Sequence, residues 1–295
     1  MPGSQENTPQ KTEAAAVVQE REDIFVENAD RHAEVVAQLL DTFHLAAHCD
    51  AGVEKQFIDV GCGPGNLTLH YLLPRLPPCR RLVAVDQSPV LLKAAKEKYS
   101  HPKIEYLQLD ILDDVDGFVR EQGQFQRLYS FATLHWVRDQ RRAMRHIEKL
   151  MAPGGECMLL FKWTAHFMHL YDAVTNSPRW AKYSNVLEGL LPETLEIKDI
   201  PSLRAYARGL VESADLIPLA CEAFSFPLQT QWSAKKITDS LLHNNPVSPL
   251  LKTEEEKEEL AEFTRDIAAK LSIDQDDHTS PNRVLIFIHA SKPLH

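Results

Sequence analysis

The chain has little of what several protein classes require. Its 295 residues include five cysteines, Cys49, Cys62, Cys79, Cys157 and Cys221, and no two of them form a CxxC pair. A disulfide or zinc framework is therefore not expected, and the thiols read as reduced groups of a cytoplasmic protein. Positive charge is short as well: 32 Lys and Arg face 42 Asp and Glu, giving a formal net charge of -10 and a pI near 5.7. Nucleic-acid backbones and anionic membranes are recognised by clustered Lys and Arg, so neither is expected as the main partner. No apolar run reaches the roughly 18 residues a membrane helix needs. The first 20 residues, MPGSQENTPQKTEAAAVVQE, contain no signal-peptide core. Residues 1–20 are expected to form a disordered lead-in, and residues 21–295 one domain without membrane insertion.

Glycine is sparse, with 11 in the chain, yet three of them stand on alternate positions. Residues 56–66 read QFIDVGCGPGN: an apolar run ending at Asp59 and Val60, followed by Gly61, Cys62, Gly63 and Gly65. The run Gln56 to Val60 suits a central parallel strand, and the glycines allow a tight turn in which backbone can approach a ligand. A second apolar run, RLVAV, ends at Asp86, roughly 20 residues past the glycines, where a carboxylate can accept bonds from both hydroxyls of a ribose. A third, Lys103 to Leu109, ends at Asp110 and Ile111. Taken singly, these features also read as a glycine turn, a helix N-cap and a surface aspartate.

The identity of the ligand turns on one missing residue. The dinucleotide fingerprint G-x-G-x-x-G needs a third glycine beside a pyrophosphate, and that position here is Asn66. This weakens the hydride-transfer reading. The pattern of Asp59 with Gly61, Gly63 and Gly65, with Asp86 and Asp110-Ile111 at the next two strand ends, resembles the class I S-adenosylmethionine-dependent methyltransferases. That resemblance implies S-adenosyl-L-methionine as cofactor, its methionine end along the glycine loop, its ribose at Asp86 and its adenine between Asp110 and Ile111. It also implies nearby contacts from Cys62, Gln87 and Phe131. The sequon Asn66-Leu67-Thr68 falls inside this loop, where a glycan would block binding.

The rest of the chain alternates strand and helix. Val35, Val36, Leu39, Leu40 and Phe43 recur at helical spacing between Arg31 and Leu45 and predict an amphipathic helix ahead of the first strand, placed to roof the cofactor site. A helix is expected over Leu67 to Leu73, ended by Pro74, and another from Ser88-Pro89 to about Tyr99. Further strands are predicted at 103–109, 126–132 and 156–162, with a helix over Gln140 to Met151 ended by Pro153-Gly154-Gly155. The runs Leu219 to Leu228 and Val284 to Ala290, separated by two polar helices, complete seven strands. The expected fold class is therefore an α/β, doubly wound, seven-stranded and mostly parallel Rossmann-like sheet with an antiparallel last strand. Residues 164–215 carry Phe167, Tyr171, Trp180, Tyr183 and Tyr206 and read as a helical lid over an apolar substrate, or as ordinary packed helices. Lys252 to Glu259 reads as a solvated helix face.

A narrower pattern lies after the fourth strand. The block Leu128-Tyr129-Ser130-Phe131-Ala132-Thr133-Leu134-His135-Trp136-Val137-Arg138-Asp139, with Gly155 to Phe161 after it, resembles the juvenile hormone acid O-methyltransferase family. Members of that family methylate the carboxylate of an apolar sesquiterpenoid. The resemblance covers most of residues 24–290 and implies that the Trp136 indole N–H orients the acceptor carboxylate. On the residues alone, Trp136 equally serves to anchor the strand to the next helix. Where the family has a glutamine facing the reacting carboxylate, the ungapped alignment from Phe25 puts His32, which can still donate but also fits a surface helix position.

A carboxylate acceptor is anionic at neutral pH and needs no base, so its methylation asks for alignment and exclusion of water. Amine or phenol acceptors need a proton removed, and His135, His166 and His169 are the available bases. His166, His169 and Asp172 also have helical metal-ligand spacing, but without a matching cluster no metal is assigned. The function expected from the sequence is thus O-methylation of a small apolar carboxylic acid. Transfer to another small acid, an amine or a phenol, and a catalytically silent cofactor-binding scaffold, stand as the alternatives.

Overall fold

A computed structural model describes residues 33–42, 52–164, 166–187, 190–225, 233–243, 245, 247–273 and 284–294. The lead-in 1–20 and His32 lie outside the described residues. A first helix, α1 (33–42), precedes strands β1 (Gln56–Val60), β2 (Arg81–Asp86), β3 (Ile104–Gln108), β4 (Phe125–Phe131) and β5 (Met151–Lys162). Helices α2 (Pro89–Lys98), α3 (Val115–Gln122) and α4 (Gln140–Leu150) connect them. After β5 come α5 (His166–Thr175), α6 (Ser184–Leu187), α7 (Ile200–Glu212), β6 (Ile217–Ser225), α8 (Ala234–His243), α9 (Glu254–Ile273) and β7 (Val284–Ser291).

The seven strands form one sheet in the order β3-β2-β1-β4-β5-β7-β6. Neighbours from β3 to β5 pair in parallel, while β7 runs antiparallel to both β5 and β6. The chain winds outward from β1 through β2 to β3, then returns to place β4 on the other side of β1. A crevice consequently opens at the carboxyl ends of β1 and β4, the position where open α/β sheets bind ligands. This is the doubly wound architecture expected from the alternating strand and helix signals.

Strand alternation divides the core between two faces. Ile58, Val60, Leu128, Leu159 and Ile288 point to the face covered by α3, α4 and α7, whereas Phe57, Tyr129, Met158 and Phe287 point to the face covered by α1. Val36 and Leu40 of α1 are buried there beside Leu67, so this helix backs the sheet next to the segment that follows the glycine loop. Ser88 caps α2 by accepting from the Leu91 N–H, with Pro89 at the first helical position.

Three expectations change in detail. The helix drawn over Leu67 to Leu73 is a wide turn at Thr68–Leu72, in which the Leu73 N–H reaches back five residues to Thr68 O, followed by a tight turn at Leu73–Arg75. Pro74 has no N–H to continue an α-helical ladder, which explains the break. Second, Pro153-Gly154-Gly155 does not separate α4 from the fifth strand. The strand begins at Met151, opposite Phe125, and the next pair is Arg127 with Glu156, so Ala152 to Gly155 bulge out within β5.

Third, the stretch 164–215 divides in two. Phe167, Met168, Tyr171, Trp180 and Leu187 pack with Ile237, Leu241, Leu260 and Leu271 of α8 and α9 in a helical cluster of their own. Helix α7 instead buries Leu203, Ala207, Leu210 and Val211 against the sheet. Tyr206, one of the aromatics assigned to the lid, donates from its hydroxyl to Gln140 Oε1 on α4 at 2.9 Å. Sequence periodicity marks both parts as helices but carries no information on which core each one joins.

Candidate cofactor and acceptor site

The site is assembled where β1 and β2 end. The Gly61 and Cys62 N–H groups donate to Val85 O at 2.7 and 3.0 Å, tying the loop to the neighbouring strand end. Gly63 then donates to Asp86 Oδ2 at 3.0 Å, while Ser88 N–H holds the other carboxylate oxygen at 2.8 Å. Each Asp86 oxygen keeps acceptor capacity for one more donor, since an ionised carboxylate offers about four lone-pair sites. Gly63 has φ +54, and a Cβ placed on it would have no neighbour within 4 Å. Its backbone therefore borders open space beside a held carboxylate. Gly65, with φ +91, is constrained differently: a Cβ there would lie 2.7 Å from the Tyr106 hydroxyl.

Behind the loop, Asp59 is buried and accepts a 2.6 Å hydrogen bond from Thr68 Oγ1. Burial pushes its carboxyl up to about 7; the Thr68 bond opposes that rise and Asp86 adds to it. Asp86 is itself raised by burial, partly offset by the Ser88 and Gly63 N–H groups, with Asp110 pushing the same way as burial. Asp86 thus bears on Asp59 and is itself affected by Asp110, an arrangement of neighbouring acids that favours a bound cation. Asp110 caps its own turn, accepting from the Leu112 N–H at 2.8 Å, and Ile111 is buried beside it.

Other residues named from the sequence take different positions. Cys62 packs with Ala84, Leu92, Ala95 and Tyr106, and burial pushes its thiol up. Phe131 is buried with Tyr129, Met158 and Leu160. Gln87 is exposed, and its carbonyl accepts from Gln108 Nε2 at 3.1 Å. Two threonines escaped the sequence reading: Thr68 beneath Asp59, and Thr133, whose hydroxyl donates to Gly61 O at 3.1 Å and joins the end of β4 to the loop. Ala132, just before Thr133, has φ +55, a left-handed conformation that costs a non-glycine residue on the order of 1–3 kcal/mol. Nothing local in an Ala-Thr pair announces that strain.

Beyond Thr133 a tight turn at Leu134–Trp136 carries the aromatic block. His135 is buried, whereas Trp136 is 36% exposed. The indole stacks face to face on Phe167 of α5, with ring centroids 3.8 Å apart and planes 6° from parallel. His135 sits 5.6 Å from Trp136 and 6.3 Å from Phe167, and Tyr171 continues the wall 5.4 Å from Phe167. The side chain of His166 is outside the described residues.

Comparison with known proteins agrees with this geometry. Residues 58–159 match the methyltransferase domain family. A juvenile hormone acid O-methyltransferase of Bombyx mori is 34% identical over 130 residues, 43% of this chain and 45% of that protein. The Drosophila melanogaster protein of the same name is 28% identical over 156 residues, 52% of each chain. A malonyl-[acyl-carrier protein] O-methyltransferase of Ilyobacter polytropus is 27% identical over 158 residues, 52% of this chain and 55% of that one. The chain thus matches about half the length of these curated relatives.

Among solved structures, a candidate sarcosine dimethylglycine methyltransferase from Galdieria sulphuraria aligns with TM-score 0.51 at 13% identity, covering 90% of this chain and 86% of that one. The cyclase SpnF aligns with TM-score 0.50 at 15% identity, covering 88% and 82%. At such identities these two show the fold alone. The family match over residues 58–159 and the sheet order make the chain similar to the class I S-adenosylmethionine-dependent methyltransferases. Within that class, it is similar over half its length to juvenile hormone acid O-methyltransferases.

Proposed function

We propose that this protein is an enzyme that binds S-adenosyl-L-methionine in the crevice at the carboxyl ends of β1, β2 and β4 and transfers its methyl group to the carboxylate of a small apolar acid. The observation that carries the cofactor reading is the open backbone at Gly63, bonded directly to Asp86. A flat ligand can lie on that backbone and present two hydroxyls to the carboxylate. Gly61, Cys62 and Gly63 would border its amino-acid end, and Asp110 with Ile111 its base. When bound, the cofactor supplies an electrophilic methyl group on a cationic sulfur, and the neighbouring acids Asp86 and Asp110 suit that charge.

The protein's own contribution is positioning. Trp136 offers an N–H to the acceptor carboxylate, and the helical cluster of α5, α6, α8 and α9 serves as a lid that keeps water from the reacting oxygen. The relatives named above include enzymes for carboxylate acceptors, which supports an acid over an amine. The test is methyl transfer from labelled cofactor to farnesoic acid, shorter acids, amines and phenols, followed over pH. A carboxylate acceptor keeps its activity on acidification until near its own pKa, about 4–5. An acceptor that needs a base, with buried His135 as the nearby candidate, loses activity as that base takes up a proton on acidification. Methyl ester formation with the first profile is the expected result. Turnover of amines or phenols alone refutes the acid reading, and failure to bind the cofactor refutes the whole assignment.

A further inference from the structure

Trp136 and Phe167 reach one another from separate parts of the fold. The tryptophan stands on a single tight turn after β4, beside Thr133, which bonds the glycine loop. The phenylalanine stands in the first turn of α5, just past the end of β5. Both are therefore at the carboxyl end of the sheet, and their rings are nearly parallel at stacking distance. The two partners are not held equally. Phe167 is 5% exposed and embedded in the α5–α9 cluster with Tyr171 and Met168, whereas Trp136 retains 36% exposure on a short turn. Order is thus transmitted from the packed helix to the indole. An offset or parallel stack of this kind restricts ring orientation beyond what apolar burial alone provides.

We propose that Phe167 is a positioning residue for the acceptor: by stacking on Trp136 it fixes the indole plane, so that the N–H edge meets a carboxylate in one orientation at the crevice mouth. The helical cluster then does more than cover the site, because one of its core side chains sets the geometry of the residue that touches substrate. His135, 5.6 Å from Trp136 and buried, limits the indole on another side. The inference rests on the acceptor reading given above. It adds a residue that neither the glycine motif nor the block after β4 contains.

The experiment compares Phe167→Leu, which keeps apolar bulk and removes the stack, with Phe167→Tyr, which keeps the ring. Turnover of farnesoic acid, calorimetric cofactor affinity, and the fluorine NMR signal of Trp136 in 5-fluorotryptophan-labelled protein are measured, the signal being assigned with Trp136→Phe. Phe167→Leu is expected to lower kcat about threefold to tenfold, as loss of one aromatic stack implies. KM should change less than kcat, cofactor affinity should stay within about twofold, and the Trp136 signal should shift and broaden. Phe167→Tyr should restore kcat to within about twofold of the wild type. Wild-type kcat and an unmoved Trp136 signal in Phe167→Leu would overturn this inference alone. Parallel loss of turnover and cofactor affinity would also overturn it, by showing a merely structural role. A wild-type protein that esterifies no acid overturns the acceptor reading and this inference with it.

Discussion

Replacing Asp59 by Asn should remove a pH dependence of stability that runs opposite to the usual one for a carboxylate. In the folded protein its pKa is raised from 3.8 to about 7, chiefly by burial. The fold therefore binds the proton more tightly than the unfolded chain does, and unfolding releases it between those pH values. Stability from this group is fully present below about pH 3.8 and is lost as pH rises through about 7. At 1.36 kcal/mol per unit, the whole span is worth about 4 kcal/mol, of which about 3 kcal/mol falls between pH 5 and pH 8.

Asparagine is the appropriate probe because its amide oxygen can keep the bond from Thr68 Oγ1, 2.6 Å away in the native site. It resembles the protonated acid at every pH. Denaturant unfolding of both proteins at pH 5, 6, 7 and 8 would give the difference directly, with the other titrating groups common to both. The expected outcome is that Asp59→Asn gains on the wild type by about 3 kcal/mol from pH 5 to pH 8. Parallel stability profiles, or a wild type that gains on the variant with rising pH, would refute the assignment of a raised pKa and the burial argument behind it.

Two other predictions concern the same crevice. Asp86→Ala should weaken S-adenosyl-L-methionine binding about tenfold to hundredfold, from loss of charge-assisted hydrogen bonds worth about 1.5–3 kcal/mol; calorimetry showing unchanged affinity would remove Asp86 from the ribose site. Gly63→Ala and Gly65→Ala should separate binding from folding: a Cβ at Gly63 meets no neighbour, whereas one at Gly65 approaches the Tyr106 hydroxyl to 2.7 Å. Thermal unfolding should therefore show a cost of about 1–2 kcal/mol at Gly63, from left-handed backbone alone, with a larger cost at Gly65 and impaired cofactor binding in both. Equal stability losses would contradict the steric distinction.

Apolar strand runs ending in Asp59, Asp86 and Asp110, separated by helical periods, were legible because a parallel sheet buries its strands on both faces and exposes their carboxyl ends. The helix cap at Ser88 was readable for an equally local reason, a side chain bonding within its own first turn. The bulge of β5 was not, because Pro153, Gly154 and Gly155 are compatible with a loop as well as with an interrupted strand. Only pairing of Met151 with Phe125 distinguishes them. The wide turn at Thr68–Leu72 likewise depends on where Leu73 finds an acceptor.

The sequence by itself therefore determined the order of strands and helices, since this follows from local patterns of apolar, glycine and capping residues. Tertiary structure decided what individual residues experience. Burial raises Asp59 and places Thr68 beneath it; the sheet brings Gly63 to Asp86 across 23 residues; α7 joins the sheet while α5 joins the helical cluster. It also brought Phe167 onto Trp136, a contact between two segments separated by a helix and a strand. Solvation, electrostatic coupling and stacking depend on distances between remote parts of the chain, and those distances exist only once the fold has closed.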